Sequence, residues 1–323
     1  MNTKLLNWLI DDGISVKMLS DQKRNQFYDL GLKELVSNKK CIDVGFGTGL
    51  LSFLALKHGA ESIRAYESNF KRFELGLHIL KETGVESQIQ LINKSFDTSC
   101  ILPTDDIIFH EIIGALLYNE NLQCTFNDRI PVFPAMYRTD FLLFEVDAKD
   151  VDSLKIAQPE EQVRTRIQKE FFLLKENPFS VGIEVNEKYS NIIRKFANEF
   201  FNDQLTTQIH KMDPKTVSDF NLAQKTLFES FKKENSKLAC SIVVDYKEKQ
   251  KYVETVISKE LLKNRTVVVV PNYYFSNNDR TFELSSGHWN STLPWQESVV
   301  LDCVENDVHV RQDLLNGRIN YWE

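Results

Sequence analysis

Apolar positions along the chain follow two rhythms. Residues 14–38 place Val16, Leu19, Phe27, Leu30 and Leu35 at helical spacing, which predicts a helix. The run "KKCIDVG" (39–45) reads as a short buried strand ending in glycine, and "LLSFLALKHGA" (50–60) as a helix stopped by Gly59. "SIRAYES" predicts a second strand, "KRFELGLHILKETG" a helix stopped by Gly84, "IQLINKS" a third strand and "DDIIFHE" a fourth. Strands and helices alternating at this spacing predict a parallel sheet covered on both faces, with ligands at the carboxyl ends of its strands.

After Pro131 and Pro134 the rhythm changes. "MYRTDFLLFEVDA", "LACSIVVDYKE", "RTVVVVPNYYF" and "ESVVLDCV" are longer, β-rich segments. Between them, residues 158–235 carry charged, helix-like stretches such as "NIIRKFANEFF" and "LAQKTLFESFKKE". This predicts an α/β domain over residues 1–131 and an antiparallel β-domain with a helical insertion over residues 132–323.

Composition narrows the class without naming it. The chain has 323 residues, enough for two domains, with 42% hydrophobic and 26% charged residues. No apolar run reaches the ~20 residues of a membrane span. The opening "MNTKLLNWLIDDGIS" is broken by Asn7, Asp11 and Asp12, unlike a signal peptide. Five cysteines without a C-x-x-C pattern argue against a disulfide framework or a zinc site, and favour a cytoplasmic protein. A net charge of −7 disfavours nucleic-acid binding and suits a cationic substrate.

The first strand runs into Asp43-x-Gly45-x-Gly47-x-Gly49. Glycines here allow a tight turn and close approach of a ligand. The stretch lacks the lysine of a P-loop, and Leu50 stands where a dinucleotide fingerprint has its last glycine. It resembles the S-adenosylmethionine (AdoMet) loop of class I methyltransferases; a tight turn without a ligand is the alternative. Glu67 ends the second strand, eighteen residues past Gly49, where a carboxylate can accept from both ribose hydroxyls.

"FHEIIGALLYNEN" (109–121) sets Glu111 and Glu120 nine positions apart in mostly apolar surroundings. Either one is structural and the other exposed, or the two clamp a cation. A guanidinium is planar, permanently charged and matched to carboxylates two hydrogen bonds at a time.

With these residues in view, the sequence resembles the protein arginine methyltransferases. The stretch from Glu111 through Gly114 and Leu117 to Glu120 is similar to the family's double-E loop. "MLSDQKR" (18–24) resembles its M-L-x-D-x-x-R helix, "IPVFPA" the start of its β-barrel, "MDPKTVSD" a barrel segment, and "SGHWNST" its T-H-W loop. The resemblance runs from about residue 14 to residue 303. It implies a Rossmann-like class I methyltransferase domain followed by a β-barrel-like domain with a helical arm at about 158–205.

The activity implied is methyl transfer from AdoMet to an arginine guanidinium held by Glu111 and Glu120. Cofactor residues would be Arg24 (pairing with the AdoMet carboxylate), Asp43, Gly45, Gly47, Gly49, Glu67 and Phe96. His288 would pair with Asp21 as a catalytic dyad, while Met18 and Trp289 would contact substrate. No metal is implied. The arm implies a homodimer, with "FANEFF" (196–201) as a contact; the alternative is a helix folded back on its own barrel.

Three departures stand out. Leu5, Leu6 and Leu9 replace the family's N-terminal Y-F-x-x-Y; Phe96, or Asp97 after a one-residue slip, replaces the adenine-contacting Glu; and Leu122 replaces a pocket Met. They favour monomethylation or an unusual substrate. The substrate is an arginine-containing protein or peptide, or free arginine. Another small-molecule methyltransferase and an inactive AdoMet-binding scaffold are the further alternatives.

Overall fold

The structure is a computed structural model and describes residues 19, 22–112, 130–145, 186–200, 236–245, 250–263, 265–277, 283–285, 299–302, 304–314 and 318–322. Helix α1 (Gln22–Leu35) leads into strand β1 (Lys40–Val44), helix α2 (Leu50–Lys57) and strand β2 (Ser62–Tyr66). Helix α3 (Phe70–Thr83), strand β3 (Ile89–Ile92), strand β4 (Ile107–His110) and strand β5 (Val132–Phe133) follow. These five strands form one parallel sheet in the order β3-β2-β1-β4-β5. The expected alternation is thus present, with one strand more than the pattern showed.

Sequence chemistry explains the element ends. Asn69 caps α3 by accepting from Lys71 N (3.0 Å) and Arg72 N (3.2 Å). Gly84, at φ +75°, closes the same helix in the left-handed conformation. The central strand β1 is buried except at its first residue, as a strand covered on both faces must be.

The chain order reverses across β1. It moves outward through β2 and β3, then returns to place β4 on the other side of β1. The carboxyl ends of β1 and β4 therefore flank the switch point, where ligands of open parallel sheets bind. The glycine loop follows β1, and Glu111 follows β4.

Strand β6 (Met136–Glu145) starts the second half only two residues after β5. Helix α4 (Glu187–Phe200), strand β7 (Lys237–Asp245), strand β8 (Tyr252–Ile257), the short helix α5 (Lys259–Leu262) and strand β9 (Thr266–Ser276) come next. Strands β10 (Glu283–Ser285), β11 (Val299–Asp302), β12 (Val308–Asp313) and β13 (Ile319–Trp322) complete the order. One antiparallel sheet runs β10-β9-β6-β7, with β11 also on β9; a second runs β13-β12-β8. A buried hydrogen bond from Thr139 Oγ1 to Gln312 Oε1 (2.7 Å) joins the two sheets.

An aromatic cluster ties the halves together. Phe133 stacks on Phe27 (centroids 5.2 Å apart), Tyr28 meets Phe133 edge-on (5.8 Å), and Phe275 meets Phe27 edge-on (5.2 Å). Gly31 permits this: a Cβ there would lie 2.1 Å from Phe133 Cζ.

Helix α4 falls inside the expected arm and lies against α3 of the same chain. Its Tyr189 and Ile193 are buried, and Tyr189 stacks on Phe53 of α2 at 4.2 Å. The helix is thus seated on the parallel-sheet half, where the sequence offered a second chain or the barrel. Side chains of "FANEFF", together with "MDPKTVSD" and "LAQKTLFESFKKE", lie outside the described residues.

Candidate active site

The loop after β1 turns through three left-handed residues: Gly45 (φ +86°), Gly47 (φ +54°) and Gly49 (φ +84°). Side chains rarely adopt this conformation. At Gly49 a Cβ would also strike the Phe46 ring at 2.6 Å. Gly45 N and Phe46 N both donate to Tyr66 O (3.0 and 2.9 Å), fixing the loop to the end of β2.

Asp43 is wholly buried in β1. Ser52 Oγ of α2 donates to its Oδ2 at 2.5 Å, whereas Oδ1 finds no partner among the described residues. Burial raises the carboxyl pKa to about 7; the Ser52 hydrogen bond opposes the rise and the Glu67 charge adds to it. An acceptor held dry without a donor fits a nearby ammonium group, such as the one AdoMet carries on its amino-acid end.

Glu67 is no exposed strand-end acid. It is 5% exposed; Gly47 N donates to Oε2 (2.9 Å) and Asn69 N donates to Oε1 (2.8 Å). Each oxygen keeps a further lone pair for a hydroxyl. The carboxylate therefore braces the glycine loop while remaining able to accept from a ribose. Phe96 is half-buried and meets Tyr66 edge-on at 5.2 Å. Asp97 has another occupation: it accepts from Ser99 N (2.8 Å) at the start of a short 3-10 turn.

At the end of β4, Glu111 Oε2 lies 3.3 Å from Arg24 Nη2, with both side chains largely buried. Arg24 Nη1 donates to Asn25 Oδ1 (3.1 Å), and its guanidinium lies 5.2 Å from the Tyr28 ring centroid. Asn25 Nδ2 donates to Leu19 O (2.8 Å), and Tyr28 OH donates to His110 O (3.0 Å). Helix α1 is thus pinned to the β4 terminus by groups the sequence reading did not single out. Their signal was present: Asn25 and Tyr28 lie on the helix face that also carries Arg24.

His110 is also buried, and burial lowers its pKa to about 3, so the ring is neutral. Ile112 N donates to Nδ1 (3.4 Å), which leaves the hydrogen on Nε2, facing Pro134 O at 3.3 Å. Tyr137 OH lies 3.2 Å from Nε2 and donates to Pro134 O (2.9 Å). The residue before Glu111 is thereby locked to the second half of the chain.

A small cleft opens between these parts, lined by Leu19, Arg24, Gly45, Phe46, Thr48 and Glu111. It brings together two predicted cofactor residues, Arg24 and Gly45, and one predicted clamp residue, Glu111. Met18, Asp21, Glu120, His288 and Trp289 lie outside the described residues, as do Gly114 and Leu117.

No family model matches the chain. Protein arginine N-methyltransferase 9 of Homo sapiens is 31% identical over 125 residues, covering 37% of this chain and 15% of that protein. Protein arginine N-methyltransferase 1 of Saccharomyces cerevisiae is 32% identical over 117 residues, covering 35% of this chain and 33% of that protein. The chain thus spans well under half the length of these curated relatives. A crystal structure of PRMT6 superposes with a TM-score of 0.52 at 13% identity, over 95% of this chain and 97% of that one. A Trypanosoma brucei PRMT1 enzyme–prozyme complex with AdoHcy gives 0.50 at 17% identity, over 96% and 91%. At these identities the superpositions speak for the fold, a Rossmann-like parallel sheet followed by antiparallel sheets. In sequence over part of its length, and in fold over nearly all of it, the chain is similar to protein arginine N-methyltransferases.

Proposed function

We propose that the chain is an AdoMet-dependent arginine N-methyltransferase acting on arginine in a protein or peptide. The observation that carries this is the Arg24–Glu111 pair at 3.3 Å in the cleft walled by the glycine loop. It puts a cation for a cofactor carboxylate beside a carboxylate for a substrate cation. Support comes also from the names of the relatives.

When bound, AdoMet supplies an electrophilic methyl group on a sulfonium. Arg24 takes the carboxylate of its amino-acid end, Asp43 offers an unmet acceptor to the ammonium, and Glu67 accepts from the ribose. Gly45, Gly47 and Gly49 let the loop backbone turn tightly and come close to the cofactor, and Phe96 provides an apolar wall for the adenine.

Glu111 and Glu120 hold the guanidinium on one side. Their charge draws the positive charge toward the nitrogens they touch, and the remaining nitrogen regains lone-pair character for attack. Alignment of that nitrogen with the methyl group is the main demand. His288 with Asp21 accepts the proton released from the methylated guanidinium, and Met18 and Trp289 shape the substrate pocket.

The same reading keeps a cofactor domain over residues 1–131, a β-domain over 132–323 with its arm at about 158–205, and a cytoplasmic setting. It also keeps a homodimer, in which exchange of the arm between copies would use the face that α4 covers here.

The test is methyl transfer from labelled AdoMet to an Arg/Gly-rich peptide, free L-arginine and a lysate, with wild type and Glu111→Gln. We expect labelled peptide or protein, a loss of about 100-fold or more in Glu111→Gln, and AdoMet binding retained. Full transfer by Glu111→Gln would overturn the clamp. Label in free arginine alone would move the substrate to a metabolite.

A further inference from the structure

Glu111 stands between two residues that are held from different sides. Before it, His110 O accepts from Tyr28 OH of α1 (3.0 Å). After it, Ile112 N donates to Nδ1 of the His110 ring (3.4 Å), so the ring bridges across the glutamate. A Cβ on Gly45 would lie 3.3 Å from Ile112 Cγ2, which places the Ile112 side chain against the glycine loop. Between these two residues, Glu111 Oε2 lies 3.3 Å from Arg24 Nη2.

The far side of the ring is anchored as well. Nε2 faces Pro134 O (3.3 Å), at the seam between the halves, and Tyr137 OH (3.2 Å), in β6. Tyr137 OH donates to the same Pro134 carbonyl (2.9 Å). His110 and Tyr137 are both buried, where solvent screens these contacts little. Packing alone would be served by leucine at this strand end. An imidazole brings two polar atoms that each need a partner, and here the two partners belong to different halves of the chain.

We propose that His110 is a positioning residue for Glu111: its ring joins the backbone that follows the carboxylate to Pro134 and Tyr137, and so fixes where Glu111 points in the cleft. The inference rests on the guanidinium-clamp reading above. Alignment of nucleophile and methyl group leaves little room for error, since a misplacement of about 1 Å is enough to cost about 100-fold. The ring lets residues at the seam govern the clamp without touching substrate.

Two substitutions in the full chain separate the two nitrogens. His110→Asn keeps an acceptor for the N–H two residues on, as Asn does in turns, and loses the reach to Pro134 O. His110→Gln keeps a donor toward Pro134 O and loses the acceptor for Ile112 N. Methyl transfer to an Arg/Gly-rich peptide is measured alongside AdoMet titration calorimetry. We expect kcat/KM for the peptide to fall about 30-fold in His110→Gln and only about threefold in His110→Asn, with AdoMet affinity near wild type in both. NMR of the ring nitrogens in wild type, with His110 assigned through its contact with Tyr137, is expected to show the Nε2–H form; this readout needs no variant. Equal losses in the two variants, or an equal loss of AdoMet affinity, would overturn the inference and leave the proposed activity standing. So would an Nδ1–H ring, which cannot accept from Ile112 N. Absence of peptide methylation by wild type would remove the proposed activity and this inference with it.

Discussion

Asp43 offers a test of the cleft that needs no substrate. Its pKa is raised from 3.8 to about 7 by burial in β1. A carboxyl that ionises less readily when folded contributes against stability once the unfolded chain is ionised. The loss begins as pH rises past 3.8 and is complete above the folded pKa of about 7. From the size of that rise, the full effect is about 4 kcal/mol at pH 8, and about 2 kcal/mol at pH 5. Asp43→Asn does not titrate and can still accept from Ser52. Its amide carries a cost of its own, but that cost does not vary with pH. The variant is therefore expected to gain on wild type by about 3 kcal/mol between pH 5 and pH 8. Calorimetric melting of both proteins at the two pH values reads this as a relative gain of several degrees. A difference that stays constant with pH, or turns toward wild type, would refute a dry, poorly satisfied Asp43. Saturating AdoMet should reverse the preference, because an ammonium meeting Oδ1 rewards the ionised carboxylate and Asn cannot replace it.

Two further outcomes follow from the packing around β4. Gly31→Ala drives a Cβ into Phe133 within a cluster that has no room for the ring to move, and should cost about 3 kcal/mol; an unchanged melting temperature would contradict this. His110, held neutral with a pKa lowered from 6.5 to about 3, should lose stability as pH falls through that window, because the unfolded chain takes up the proton first. His110→Gln should show a shallower acid limb between pH 6.5 and 3 by tyrosine and tryptophan fluorescence, and identical limbs would count against the buried neutral ring.

What could be read in the sequence was local. The glycine loop, Glu67 after β2 and Glu111 after β4 follow from alternation and from residue types that mark strand ends, and the structure places them there. Strand β5 escaped because two residues cannot show a period. Strands β8, β12 and β13 escaped because "YVETVI" and its partners mix exposed apolar with charged positions, as at Tyr252 and Val256. The Arg24–Glu111 pair, the bracing of Glu67 by Gly47 N, and Tyr189 on Phe53 are meetings of residues distant in sequence. No spacing rule encodes them; only the sheet order brings them together.

The crossing from β5 to β6 bears on how the two halves could be separated. Phe133 completes the parallel sheet and fills the space left by Gly31, while Ala135 N already donates to Ser276 O (3.0 Å) in the antiparallel sheet. No spacer exists at which to cut. A fragment ending before residue 132 would expose the edge of β4 and the faces of Phe27 and Tyr28 to water. A fragment beginning there would carry Phe133 out as an unpaired aromatic. The halves are thus poor modules: neither is a self-sufficient part for transplantation, and recombination between relatives should succeed at surface loops rather than at this seam.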